Sequence, residues 1–96
     1  MDVYEKELLL ENEAFRYVLA DERGRRVLGS LLAYMGLFKA SDSENAPKQA
    51  AAVGLLNKLM SLDGEMAVKV VTETLQRSVN LNKKLEQEEK EKENKQ

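Results

Sequence analysis

Apolar residues recur every three to four positions along most of the chain, and this spacing predicts α-helices. The first predicted helix runs from Asp2 to about Ala20, with the Asp2 side chain accepting from the first amides as an N-cap. Four glutamates at residues 5, 7, 11 and 13 give this helix an acidic outer face. Its apolar stripe consists of Tyr4, Leu8, Leu9, Phe15, Val18 and Leu19.

A second helix is predicted to begin after Asp21, which is its N-cap. Gly29, Ala33 and Gly36 form a stripe with almost no side chain. Glycine inside a helix costs roughly 0.5–1 kcal/mol relative to alanine, so we expect a neighbouring helix to cross very close to Gly29. Gly36 is predicted to end the helix in the left-handed conformation. The apolar side is made of Val27, Leu28, Leu31, Leu32 and Met35.

Two further helices are predicted after the polar loop 39–46. Pro47 suits the first turn of the third helix, and the alanines at 50–52 make this helix the expected neighbour of Gly29. The segment 61–64 breaks the pattern, and Asp63 caps a fourth helix from about Glu65. Core candidates in the fourth helix are Met66, Val70, Val71, Leu75 and Val79, after which the stripe thins to Leu81 and Leu85.

The predicted fold is all-α: a small bundle of three or four helices in residues 1–82, with residues 83–96 as a charged helical arm or tail. The arm holds five lysines and five glutamates in fourteen residues and has no apolar face of its own. The expected core is Leu8, Phe15, Leu19, Val27, Leu28, Leu31, Leu32, Phe38, Val53, Leu56, Leu59, Val70 and Leu75.

The amino-acid composition excludes several kinds of functional site. The 96 residues contain no cysteine and no histidine, which excludes disulfides, zinc fingers and nucleophilic Cys or His sites. No catalytic constellation is visible, so we expect a protein that is not an enzyme and needs no cofactor or metal. The acidic start lacks the order of a secretion signal, and no apolar run approaches the roughly 20 residues of a membrane span. The net charge of −2 argues against nucleic acid as the partner.

Two sets of charged residues are candidate partner-binding sites. Arg23, Arg25 and Arg26 lie at the start of the second helix, where the macrodipole disfavours positive charge. Acids of the first helix would explain them, and so would a phosphate or a partner's carboxylate. The arm supplies Glu86, Glu88, Lys90 and Lys92, spaced as i, i+4 pairs. The arm is either a solvated extension or a helix that docks along a larger assembly.

One stretch resembles a known family. Phe15, Leu19-Ala20, Gly24-Arg25-Arg26-Val27-Leu28, Leu31-Leu32, Gly36 and Phe38 are similar to an uncharacterised family of tailed-bacteriophage proteins with the outline F-x3-L-A-x3-G-R-R-V-L, L-L and C-G-V-F. The similarity covers about residues 13–62. Farther on, the family has a second G-R-R and then G-L-x-L, and here Gly54-Leu55 and Leu59 match that later part in outline. Met35 stands where the family tends to have cysteine, and Gln49-Ala50-Ala51 replaces the second basic pair. Members lie among head and tail genes, so the resemblance implies a virion or assembly role.

Three functional hypotheses follow. The leading one is a virion-associated or assembly protein (an internal or ejected protein, or a head–tail component) that contacts a larger virion component. The alternative is a small acidic inhibitor of a host enzyme or defence complex that mimics nucleic acid with its first helix. The third is direct nucleic-acid binding through the arginines, which should weaken steeply with salt. The virion or the host cytoplasm is the expected location, and self-association is an open alternative because so short a bundle exposes apolar surface.

Overall fold

The computed structural model describes residues 2–94. Over that range the chain folds into four α-helices joined by turns and one loop, without a strand. The predicted all-α bundle with a long last helix is therefore confirmed. The helices are α1 Val3–Ala20, α2 Glu22–Tyr34, α3 Ala46–Leu62 and α4 Gly64–Asn94.

Aspartate caps begin three of the helices, as the sequence predicts. A single residue, Asp21 or Asp63, separates α1 from α2 and α3 from α4, so the chain turns sharply at both places. The break expected at 61–64 is shorter than predicted because α3 continues through Leu62. The capping carboxylates accept from backbone amides as follows: Asp2 from Glu5 at 2.8 Å, Asp21 from Arg23 at 2.9 Å and Asp63 from Met66 at 3.1 Å.

Gly36 ends α2 in the left-handed conformation, with φ of 87°. The Leu37 amide donates to the Leu32 carbonyl at 3.1 Å, and the Gly36 amide donates to the Ala33 carbonyl at 3.0 Å. This pair of bonds is the Schellman motif, which satisfies carbonyls at the end of a helix. The prediction that Gly36 supplies the left-handed residue is confirmed.

Side chains hold the loop between α2 and α3. The side-chain amide of Gln49 donates to the backbone carbonyls of Gly36 at 3.2 Å and Ala40 at 3.1 Å. Farther along the loop, the Asp42 carboxylate accepts from the Glu44 amide at 2.7 Å and from the Asn45 side chain at 2.8 Å. These bonds favour the ionised form, so the pKa of Asp42 lies below its usual value, chiefly because of the Glu44 amide.

The core is small and lies where the four helices meet. Its four large, fully buried side chains are Leu19, Leu32, Leu59 and Val70. Ala52 and Ala67 are also fully buried, and alanine at these positions lets helix backbones approach each other. Around this centre lie the partly buried residues Phe15, Val18, Met35, Leu37, Leu55 and Met66.

Several residues expected in the core lie instead at the surface. On α2 the buried residues are Leu28, Gly29 and Leu32, and the residue before each leucine is exposed. The prediction was wrong there because apolar residues cover more than half of the circumference of α2, while the neighbouring helices cover only one side. The exposed residues of the expected core are Leu8, Val27, Leu31, Phe38, Val53 and Leu75. Exposed as well are Tyr4 and Leu9 of the apolar stripe predicted for α1 and Val79 of the core candidates in α4.

α2 packs tightly against α4 at Gly29. Gly29 is buried, and a Cβ atom added there would overlap the Thr74 hydroxyl and lie 3.2 Å from the Thr74 Cβ. The expected close crossing is therefore present. The expected neighbour was wrong: the atoms nearest to a Cβ at Gly29 belong to Thr74 and Arg77 of α4 and not to the alanines of α3. Thr74 fits because its hydroxyl donates to the Val70 carbonyl of its own helix at 2.6 Å.

The molecule is long for its mass. Its principal extents are 70 × 33 × 17 Å, and its radius of gyration is 17.7 Å. A compact chain of this length would have a radius of gyration of about 12–13 Å. The length comes from the two ends, because residues 3–11 of α1 and residues 78–93 of α4 are all exposed. α4 passes the predicted boundary at residue 83 without a break.

Candidate protein-interaction site

The Arg25 side chain forms hydrogen bonds within the fold. Its Nη1 donates to the carbonyls of Leu19 at 2.9 Å and Ala20 at 3.2 Å, which are the last carbonyls of α1. Its Nε donates to the Glu73 carboxylate of α4 at 3.1 Å, and only 11% of the Arg25 side chain is exposed. Arg25 thus links α1, α2 and α4, and the acid that pairs with it lies on α4 rather than on α1 as expected.

Arg23 and Arg26 have a different environment from Arg25. Both side chains are exposed, and among residues 2–94 neither forms an ion pair within 4 Å. Arg23 lies in the first turn of α2 and Arg26 lies one turn from its start, at the end of the helix where the dipole disfavours a cation. The predicted arginine cluster is therefore split, with one member bound inside the fold and two available at the surface.

The two exposed arginines border an apolar strip on α2, which we call the outer face and define as Arg23, Arg26, Val27, Ser30, Leu31 and Tyr34. These six residues line an open depression of about 600 Å³. Helical spacing puts them on one side of α2, directly opposite the side that contacts the bundle. The exposed fractions are 59% for Val27, 49% for Leu31 and 80% for Tyr34.

The exposed apolar side chains of the outer face form one contiguous strip rather than isolated surface residues. Single apolar side chains are common on protein surfaces, but a contiguous strip rimmed by polar residues is typical of an interaction site. Tyr34 supplies a large ring, and Arg26 supplies a planar cation that can bind a carboxylate through two hydrogen bonds. Tyrosine and arginine are also the residue types enriched in binding hot spots.

Sequence reasoning identified the arginines of this face and missed its apolar half. Val27 and Leu31 were assigned to the core, because helical periodicity does not tell which side of an apolar helix is covered. The one available signal was that α2 carries more apolar residues than a single buried stripe needs. Glu73 was also missed, since nothing in its local sequence indicates that Arg25 is its partner.

The charged arm lies apart from the outer face. Glu86, Glu88, Lys90 and Lys92 are exposed, and none of them lines the depression on α2. The i, i+4 spacing of Glu86 with Lys90 and of Glu88 with Lys92 is present on α4, yet Arg25–Glu73 is the one ion pair within 4 Å in the described part of the chain. The structure does not bring the two predicted sets of site residues together.

The acids of α1 are spread along the helix surface. Glu5, Glu7, Glu11 and Glu13 are all exposed, and their carboxylates form no ion pair in residues 2–94. Within the same residues, no group of three acidic side chains is arranged to hold a metal ion. None of the described helices combines the length and the apolar character that a membrane span requires.

Comparison of the chain with protein-family models, with curated proteins and with solved structures found no match. The resemblance to the bacteriophage family in residues 13–62 therefore stays a prediction. The structure does give that motif a physical meaning: a Cβ at Gly24 would overlap the Val18 carbonyl, Arg25 joins three helices and Leu28 is buried. Arg26 and Val27, in the same motif, belong to the outer face.

Proposed function

We propose that this protein acts by protein–protein contact and that the outer face of α2 binds a larger protein partner. One observation carries the proposal: Val27, Leu31 and Tyr34 form an exposed apolar strip bordered by Arg23 and Arg26. The partner we infer has an apolar ridge with carboxylates beside it, because that surface complements both the apolar centre and the two cations. Burying this centre supplies affinity, and the charged rim supplies orientation.

A protein fits this surface better than a nucleic acid. Nucleic-acid sites depend on several phosphate contacts from clustered cations, whereas this face has two available arginines and an apolar centre. The chain as a whole carries a net charge of −2. The residues nearest the two arginines in sequence also include Glu22, which would repel a phosphate backbone.

The biological setting we propose is a tailed bacteriophage, with the chain as a non-enzymatic virion-associated or assembly protein in the virion or the host cytoplasm. Support for this setting comes from the resemblance of residues 13–62, whose motif includes Arg26 and Val27. An elongated shape with exposed ends is suitable for a component that contacts a larger assembly.

Two measurements test the proposal separately. To test the binding site, a tagged form of the chain is used to capture partners from a lysate of cells that are producing phage particles. The double variant Val27→Asp, Leu31→Asp is used in the same way in parallel. Loss of the major captured protein is expected for this variant, because two charges enter the apolar centre. The matched control is Val53→Asp, Val68→Asp, which changes two valines of similar exposure on α3 and α4 and should leave capture intact.

For the setting, mass spectrometry of purified particles should detect the chain in a fixed ratio to the major virion proteins. Equal capture by the chain and by the α2 variant would show that the outer face is the wrong surface. Absence of the chain from purified particles would contradict the virion role but would not contradict the proposed binding site.

A second candidate is favoured by α1. Its four exposed glutamates have no ion-pair partner in the described residues, and residues 3–13 carry these four acids against one base, Lys6, for a net charge of −3. The protein could then act as an acidic inhibitor that occupies the nucleic-acid site of a host enzyme. In that case Glu7→Lys, Glu11→Lys should abolish binding to a captured nuclease or polymerase, whereas Val27→Asp, Leu31→Asp should not.

A further inference from the structure

The accessible surface of the chain is larger than a monomer of its mass requires. The chain has 7544 Å² of accessible surface at a mass of 10.9 kDa. A folded monomer of that mass has roughly 5,600 Å², so roughly 2,000 Å² is in excess. A standard-size interface buries about 800 Å² on each partner. The excess is larger than the area that two such interfaces would cover on one chain, and the exposed residues 3–11 of α1 contribute to it.

α1 has an apolar strip on the side that faces away from the bundle, which we call the α1 ridge and define as Val3, Leu10, Ala14 and Tyr17. Helical spacing places these residues opposite Leu19, which is fully buried. The exposed fractions are 78% for Val3, 60% for Leu10 and 76% for Tyr17, and Ala14 is exposed as well. Within the described chain, the α1 ridge is therefore left in contact with solvent.

The α1 ridge and the outer face of α2 carry apolar residues at the same spacing. In each helix three of them are separated by four and then three residues, namely Leu10, Ala14 and Tyr17 in α1 and Val27, Leu31 and Tyr34 in α2. One offset of 17 residues relates all three pairs, so two parallel helices can place them side by side. In that alignment Ala14 leaves space for Leu31, and the two tyrosine rings can stack.

Charges beside the two strips are opposite in sign. Glu7 and Glu11 lie one turn apart on one flank of the α1 ridge, and their carboxylates form no ion pair in the described residues. Arg23 and Arg26 of the outer face are exposed and have no ion pair there either. In the parallel alignment Glu7 falls within one turn of both arginines. An antiparallel alignment would bring Glu7 to Tyr34 instead, so charge favours the parallel one.

We propose that the α1 ridge of one copy of the chain binds the outer face of α2 of a second copy, with the two helices parallel and Leu10 beside Val27. The two strips are different surfaces of the chain, so the contact is heterologous. Each pair of copies keeps one free α1 ridge and one free outer face, and association therefore continues beyond a dimer. Both strips face away from their own bundles, so the two bundles lie on opposite sides of the contact.

This inference rests on the proposed function, because it uses the same binding surface of α2 and the carboxylate-bordered apolar ridge inferred for the partner. A second copy and the larger partner compete for the outer face. A row of associated copies leaves one outer face free at its end, and the larger partner can bind there.

Sedimentation equilibrium of the purified chain at low salt tests the association over about 1–200 µM, a range that brackets micromolar affinities. We expect the average mass to rise past that of two chains. Variants that place two aspartates in one strip should remain monomers: Leu10→Asp, Tyr17→Asp in the α1 ridge and Val27→Asp, Leu31→Asp in the outer face. The control Val53→Asp, Val68→Asp changes two exposed residues outside both strips and should associate like the original chain. A monomer at all concentrations would overturn the proposal, and a mass that stops at two chains would contradict the heterologous contact.

A mixture of the two aspartate variants tests which strips touch. Neither variant should associate alone, but the mixture contains one intact α1 ridge and one intact outer face. The mixture should therefore form a 1:1 dimer and nothing larger, because the other two strips carry aspartates. A mixture that stays monomeric would overturn the proposal, since it would mean that each strip pairs with the same strip of another copy.

Charge reversal tests the alignment. Arg23→Glu, Arg26→Glu should weaken association by about threefold to tenfold at low salt, as for two exposed ion pairs. Adding Glu7→Arg, Glu11→Arg to the same chain should restore association, because the two flanks are again opposite in sign. Equal association of the arginine variant and the original chain, or no recovery in the fourfold variant, would contradict the parallel alignment.

Circular dichroism at about 1 µM checks that each variant is as helical as the original chain, which is expected because all the changed residues are exposed. Capture from the lysate then separates this inference from the proposed function, since the α1 ridge variant keeps its outer face and should still capture the larger partner. A chain that captures this partner and remains a monomer would contradict the self-association alone. A chain that associates but loses no captured protein when α2 is changed would contradict the proposed function alone.

Discussion

The inner and outer faces of α2 use adjacent residues of the same kind for different purposes. Leu32 is fully buried, whereas Leu31, the residue before it, is half-exposed. Arg25 joins three helices, whereas Arg26 extends into solvent without an ion pair among residues 2–94. The comparison shows that residue type does not set the role on this helix. The role depends on which side of α2 the neighbouring helices cover, and a shift of one position changes that side.

Substitutions on the two faces of α2 should therefore affect two different properties, the stability of the fold and the binding of the partner. Changes on the inner face should lower the free energy of unfolding, because they remove contacts among α1, α2 and α4. Changes on the outer face should leave stability near its original value and affect the partner. Each pair of adjacent residues therefore supplies a variant and a matched control within one helix, and three such pairs make the comparison quantitative.

The largest effect is expected at the two leucines. Leu32→Ala should lower the free energy of unfolding by about 2–5 kcal/mol, since it opens a cavity in a core with only four large buried side chains. Leu31→Ala should lower it by less than about 1 kcal/mol, because half of that side chain is already in water. Urea denaturation followed by circular dichroism measures both values. Equal losses would mean that both faces of α2 are buried.

The next effect is expected at the α2–α4 crossing. Gly29→Ala should destabilise the fold by about 1–3 kcal/mol, because the new Cβ would overlap the Thr74 hydroxyl and force the helices apart. Ser30→Ala, one residue later on the outer face, should be neutral or slightly stabilising, since alanine has the higher helix propensity. Thermal unfolding compares the two variants. Adding Thr74→Ala to Gly29→Ala should recover part of the loss, and no recovery would place the clash elsewhere.

The arginine pair should show a smaller difference. Arg25→Ala should cost about 1–2 kcal/mol, because it removes charge-assisted hydrogen bonds to two α1 carbonyls and to Glu73, which is itself partly solvated. Arg26→Ala should stay within about 0.5 kcal/mol of the original chain, as is usual for an exposed side chain. Urea denaturation gives both free energies. A larger loss for Arg26 would indicate an intramolecular partner for it.

The smallest effect lies outside both faces, in the loop after α2. The folded-state pKa of Asp42 is below its usual value, so its contribution to stability is fully present above the unfolded-state pKa of about 3.9. That contribution is lost as the pH falls through the lower folded-state pKa. Carboxyl-carbon NMR should show Asp42 titrating at lower pH than Asp42 in an unfolded peptide. In Asp42→Asn this part of the acid dependence should be absent, and an unshifted titration would contradict the Glu44 hydrogen bond.

Local features of the fold were predictable from sequence because they depend on residues close together in the chain. The caps at Asp2, Asp21 and Asp63 each involve an amide two or three residues later. Gly36 ends α2 through carbonyls within five residues. The four helices and their approximate bounds follow from the same local rules. In the candidate site, these rules identified Arg25 and Arg26, with Arg23 beside them, as unusual cations at a helix start, but they did not separate Arg25, which is bound inside the fold, from the other two.

Residues close together in the chain set its helical character, the places where its helices begin and turn, and the charged composition of residues 83–96. Contacts between distant helices set which neighbour crosses at Gly29, pair Arg25 with Glu73, and leave Val27 and Leu31 at the surface. The physical reason is the distance along the chain over which each interaction acts. Helix propensity and capping act within a few residues, whereas burial depends on which distant helix covers a given side, and α2 carries apolar residues on more sides than the bundle can cover.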